Sequence, residues 1–186
     1  MATQSLARAF ASTRGVLANI NPNQFEDSTP CKSWNVRALI NHVVGAPRFA
    51  ASAIATGAGT VAEQDFTAGD VLSHYDETAN GALAAFGSAG ALEKTVTLPF
   101  AEVPGAFLMM MVSTDQFTHG WDLARATGQS TNLDPDLAAE LLAQVQRSLT
   151  DDFRGDDGVA PFGPRLEAPA GACPADQLAA FLGRSV

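Results

Sequence analysis

Apolar positions recur every three to four residues along most of the chain, the period of a helix with one buried face. Leu6, Phe10, Leu17 and Ile20, with Ala9, Thr13 and Val16 beside them, predict a first helix. Asn21-Pro22-Asn23 breaks it, and Asp27-Ser28-Thr29-Pro30 marks a turn. Asn35 is suited to cap a second helix starting at Val36, with Leu39, Ile40, Val43, Pro47, Ala50 and Ile54 on its stripe. Pro47 lies inside that stripe and is expected to kink the helix or end it early. A third helix is expected from Asp70 to Phe86, along Val71, Leu72, Tyr75, Ala79, Leu83 and Phe86. Thr95 to Leu98 reads as a short extended piece. A fourth helix should run from Pro104 to Thr127, with Gly128 just past its end. Asp134 and Pro135 open a fifth, which should bury Leu137, Leu141, Leu142, Val145 and Leu149. Gly155 to Gly171 is loop, and a last short helix runs from Pro174 to Leu182 before Gly183. No alternation is long enough for a sheet. The expected class is all-α: a four-helix bundle with additional short C-terminal helices, one domain over residues 1–186, the end of the chain packed on the bundle.

Composition narrows the function. Apolar residues make up 46 % and charged ones 17 %, a globular balance. A net charge of −9 and a pI near 4.6, with basic residues scattered singly, exclude nucleic acid as a partner. No apolar run suffices for a membrane span. Two cysteines, Cys31 and Cys173, read as reduced thiols of a cytoplasmic protein. Met1 to Asn23 carries Arg8 and Arg14 and no acid, but its amphipathic spacing reads as a mature helix rather than a cleaved leader.

The chemistry gathers on the fourth helix. Asp115, His119 and Asp122 stand three and four apart and form a polar strip continuing an apolar line through Leu108, Met111 and Val112. Ionisable groups in a core-facing stripe are costly unless paired or bound to a metal. An Asp/His pair alone reads equally as a surface pair or a buried hydrogen-bonded histidine. Of the other histidines, His74 sits among Ser73, Asp76 and Glu77 and looks solvated, whereas His42 borders the apolar stripe of the second helix. In a bundle, His42, Asp115 and His119 could bring two imidazoles and a carboxylate to one divalent ion and leave coordination positions open. Zinc leads, with nickel or iron also compatible. Asp122 would orient an imidazole or a bound ligand.

Two long segments carry a family resemblance. The first runs Thr29-Pro30-Cys31-Lys32-Ser33-Trp34-Asn35-Val36-Arg37-Ala38-Leu39-Ile40-Asn41-His42-Val43-Val44-Gly45; the second runs from Asp115 through His119-Gly120-Trp121-Asp122-Leu123-Ala124-Arg125-Ala126-Thr127-Gly128-Gln129. Together with the ending Leu178 to Arg184, they resemble the actinobacterial DinB-like metalloproteins, the group that includes the N-terminal domain of mycothiol-dependent maleylpyruvate isomerase. The resemblance implies a DinB-like four-helix bundle, a metal on His42, Asp115 and His119, and a low-molecular-weight thiol such as mycothiol as cosubstrate. A coordinating thiol is deprotonated, and the thiolate attacks an electrophile. Asp115 stands where the isomerase has a glutamate. The isomerase also carries a further C-terminal domain, so maleylpyruvate itself is not the expected substrate.

Other residues have blander readings. Trp34 and Trp121 could line a substrate pocket, though packing is the first expectation for both. Arg125 could meet an anionic group of the thiol, but a surface ion pair with Asp122 is the plainer role. Cys31 reads as a plain buried thiol. Three functions therefore compete: a metal-dependent transferase acting on a small thiol and an electrophile, a non-catalytic metal-binding or sensing protein, and a helical interaction module without metal. Monomer and homodimer both remain open.

Overall fold

The computed structural model describes residues 3–60, 64–98, 101–155, 159–160 and 162–186; the Gly155 to Gly171 loop and the first residues of the chain lie partly outside them. Among the described residues six α-helices dominate: α1 (Gln4–Leu17), α2 (Val36–Thr56), α3 (Val71–Phe86), α4 (Gly105–Ala126), α5 (Pro135–Ser148) and α6 (Pro174–Phe181). Side chains fix most starts. Asn35 accepts from the Ala38 N–H, Asp70 from those of Leu72 and Ser73, and Asp134 from that of Leu137. Gly57, Gly128 and Gly183 take the left-handed conformation where α2, α4 and α6 stop.

Helices α1 to α4 form the bundle, with α1 along α4, α2 along α3 and α4, and α3 closing back on α1. Their apolar faces meet around Leu6, Phe10, Leu39, Ile40, Val43, Tyr75, Phe86 and Leu123. A second core lies on the outer side of α4, where Phe117 and Trp121 meet Leu137 and Leu141 of α5, Leu178 of α6 and Leu182 just past its end. The terminal helix thus packs against α5 and α4. No described helix is long and apolar enough to cross a membrane.

Two expectations are corrected. The chain contains a short antiparallel ribbon, β1 (Thr95–Thr97) paired with β2 (Glu102–Pro104), Val96 opposite Val103. Three residues a strand give no readable alternation. Consequently Pro104 closes the ribbon just before α4, outside the helix. The other correction is to an early end of α2, which runs unbroken to Thr56 through Pro47. A proline removes the hydrogen bond to the carbonyl four residues back, here that of Val43. That carbonyl instead accepts from Gln116 Nε2 on α4 at 3.1 Å. Gln116 is fully buried; its Oε1 accepts from the Tyr75 hydroxyl at 2.8 Å, and its own carbonyl accepts from the Thr13 hydroxyl at 2.7 Å. One residue, through its side chain and its backbone carbonyl, therefore ties all four bundle helices together directly beside Asp115.

Candidate metal centre

The loop before α2 is built to present side chains at the bundle mouth. The Thr29 hydroxyl donates to the Trp34 carbonyl at 2.8 Å and accepts from the Cys31 N–H at 3.1 Å. The Val36 N–H returns to the Asp27 carbonyl at 3.0 Å. This fixes Cys31 and Trp34 above the first turns of α2. His42 follows two turns on, and α4 faces it in the opposite sense, since Ile54 near the end of α2 touches the position of Gly105 at the start of α4.

His42, Asp115 and His119 come together, with donor atoms within 4.8 Å of one another. His42 Nε2 lies 2.9 Å from Asp115 Oδ1, and His119 Nε2 lies 3.4 Å from the same oxygen. Ligands bonded at ordinary zinc–nitrogen and zinc–oxygen lengths in a tetrahedron stand about 3.3 Å apart. The two separations from Asp115 bracket that value and the two imidazole donors lie within 4.8 Å of each other, spacings compatible with one divalent ion. The His42 and Asp115 side chains are each 30 % exposed, whereas His119 lies deeper. The set therefore has one sheltered side and one open side.

His119 is held from behind. Its Nδ1 lies 2.9 Å from Oδ2 of Asp122, whose side chain is fully buried. With the proton on Nδ1 donated to that carboxylate, the lone pair of Nε2 faces His42 and Asp115. Asp122 in turn takes Arg184, whose Nε reaches Oδ1 at 3.3 Å and Nη2 reaches Oδ2 at 3.2 Å. Burial works against every charge here, but the partners prevail. His42 and His119 hold the Asp115 carboxyl far below the usual carboxylate range. The His119 hydrogen bond and the Arg184 guanidinium lower that of Asp122. Asp115 and then Asp122 push the His119 imidazole well above its usual value.

The remaining assignments divide. The Trp34 ring lies 4.6 Å from His42 and 5.5 Å from His119 between centroids and also packs against the bundle core, so it combines the expected packing with a wall against both imidazoles. Trp121 faces the second core and donates to Asp176 at 2.8 Å, so it is packing and lies off the site. Arg125 is exposed and Asp122 points inward, so the expected surface pair between them does not form. Helical phase decides it: Asp122 continues the His119 face, and Arg125 points to solvent. His74 is half-buried with its ring edge against Phe66, 5.6 Å between centroids, rather than solvated.

Two site residues escaped the sequence reading. Cys31 stands beside His119 and Asp122, and its Sγ is 3.7 Å from Arg184 Nη2. Its signal was a place just before the start of α2. Arg184 comes from the other end of the chain, and its signal was an arginine immediately after the glycine that stops α6.

The four-helix bundle places the chain in the DinB-like fold class. Within it, the chain belongs to the mycothiol maleylpyruvate isomerase N-terminal domain family, whose pattern it matches over residues 6–124. Two uncharacterized proteins of Mycobacterium tuberculosis, from strains CDC 1551 / Oshkosh and ATCC 25618 / H37Rv, are each 40 % identical over 190 residues, which cover all of this chain and 97 % of theirs. The fold is similar to the crystal structure of mycothiol-dependent maleylpyruvate isomerase, with a TM-score of 0.62 over 84 % of this chain and 74 % of that one. A histidine-to-alanine mutant of that enzyme matches at 0.61. At 16 % identity both show the fold alone.

Proposed function

We propose that the protein is a metal-dependent transferase that activates a low-molecular-weight thiol of the mycothiol type for attack on a small electrophile. The observation that carries this reading is the convergence of three donors, two of them part-exposed, around a point backed by the buried Asp122. Three protein ligands leave a position for an exogenous group, as catalytic sites do. The relatives' family is mycothiol-dependent, which supports the choice of thiol. A bound divalent ion, zinc first and nickel or iron next, would supply the positive charge that lets a thiol lose its proton.

The chain's own residues do the rest. His42 and His119 present imidazole nitrogens, and Asp115 supplies the negative charge. Asp122 keeps the His119 proton on Nδ1. Trp34 shelters both rings and leaves the thiol an approach over the exposed sides of His42 and Asp115. A free-thiol partner and two unpaired cysteines, Cys31 and Cys173, support a cytoplasmic location.

Metal analysis of freshly purified protein tests the first half of the proposal. About one divalent ion per chain is expected, lost in His42→Ala and in His119→Ala; full retention in both variants contradicts it. Calorimetric titration of the metal-loaded protein with mycothiol and with bacillithiol tests the second half. Binding of one of them that disappears on metal removal is expected, and binding of neither leaves a metal-binding protein without this chemistry.

A further inference from the structure

We propose that Arg184 is a positioning residue of the metal centre: by clamping both oxygens of Asp122 it fixes the His119 ring with Nε2 facing His42 and Asp115. The inference rests on the metal reading above and extends it to a part of the chain beyond residues 6–124, the segment matched by the family.

The end of α6 delivers this side chain by a defined turn. Gly183 is left-handed at φ 91°, its N–H reaches the Ala180 carbonyl at 3.0 Å, and the Arg184 N–H reaches the Ala179 carbonyl at 2.9 Å. That is the paired hydrogen bonding of a Schellman turn, which sets the direction of the residue after the glycine. Gly183 lies backbone to backbone on Gly163, and a Cβ added to it would stand 2.5 Å from the Gly163 Cα. Arg154 braces the same corner, its Nη1 donating to the carbonyls of Phe181 at 2.8 Å and Gly163 at 3.1 Å.

Arg184 itself is only 9 % exposed, and its Nη1 is occupied by the Leu182 carbonyl at 3.0 Å. Nε and Nη2 remain for Asp122, one for each carboxylate oxygen. Burying such a pair is not a stabilising choice in itself, since desolvation offsets most of the attraction. Nor does α6 need it as an anchor, because Leu178 and Leu182 already dock in the second core. What the planar fork adds is orientation: a carboxylate held at both oxygens cannot rotate, and neither can the imidazole bonded to it. Lysine would supply the charge without the fork.

The test uses the full chain as wild type, Arg184→Met and Arg184→Lys, with Co²⁺ as probe and the ring signals of ¹⁵N-labelled histidine as a metal-free readout. Circular dichroism melts verify folding. In the wild type, His119 should give a single sharp set of ring signals and Co²⁺ should bind with an intense visible band. In Arg184→Met the His119 signals should broaden or double, and Co²⁺ affinity should fall by about 10- to 100-fold, the usual loss when a ligand's supporting partner goes. Arg184→Lys should recover part of the affinity. Should Arg184→Met not fold, Arg184→Lys alone decides: affinity below wild type with a displaced band supports the role, and wild-type values for both overturn it. Unchanged His119 signals and unchanged Co²⁺ affinity in Arg184→Met likewise overturn it. Failure of the wild type to bind Co²⁺ contradicts the metal reading instead, and the histidine signals then still decide whether Arg184 sets the ring.

Discussion

Asp115 is the residue on which the site turns, because one carboxylate oxygen serves two imidazoles from different helices. Without an ion, a proton on His119 supplies positive charge to Asp115 and Asp122, beside the guanidinium that Arg184 already gives Asp122. The raised His119 value means this contribution is complete below the ordinary imidazole range and is lost as pH rises through the folded value. The lowered Asp115 and Asp122 values act in the other sense: their contribution is present above the ordinary carboxylate range and is lost as pH falls through the folded values. Melting temperature of the metal-free protein should therefore decline as pH rises above about 6.5. The decline should be shallower in His119→Gln, and equal slopes contradict the ion-pair description. Binding an ion displaces the same proton, so metal affinity should strengthen over that pH range.

At the scale of elements, the capped helix starts were legible because their rules are local. Asn35 and Asp134 each sit where a side-chain oxygen can reach the next turn, and Asp70, read as the first residue of its helix, proves to cap it in the same way. The early end allowed at Pro47 does not occur, for the converse reason: the group that satisfies the Val43 carbonyl is Gln116, 73 positions away and on another helix. No pattern within α2 announces it. Gln116→Leu leaves that carbonyl without its partner in a buried place and the Tyr75 hydroxyl with only the long 3.4 Å contact to the Phe10 carbonyl, and should lower unfolding stability by about 2 kcal/mol in urea titrations. Gly120 explains itself only in three dimensions as well. A glycine within α4 weakens the helix, but a Cβ there would stand 2.5 Å from Thr13 Oγ1, so it permits the close approach of α1. Gly120→Ala should destabilise by about 1–3 kcal/mol and loosen the Thr13 bond to Gln116, seen as faster amide exchange across α1 and α4. Wild-type exchange in that variant would show the approach to be incidental.

Over the whole molecule, the chain order conceals the site. The triad His42, Asp115 and His119 was legible because each member occupies a helix face whose direction a bundle constrains. Cys31 and Arg184 were not, since a loop and a turn carry no period, and 153 positions separate two residues whose side chains meet. The layout explains why the last turn matters: α5 and α6 bury the outer face of α4, and the closing turn then folds back to the inner edge of that helix at Asp122. Everything functional in this account follows from one cation seated between α2 and α4. The most direct measurement is an anomalous difference map from crystals grown with the copurified ion, collected on both sides of its absorption edge. The account predicts one strong peak within bonding distance of His42 Nε2, His119 Nε2 and an Asp115 oxygen. A map with no peak there, or with one on other side chains, contradicts it.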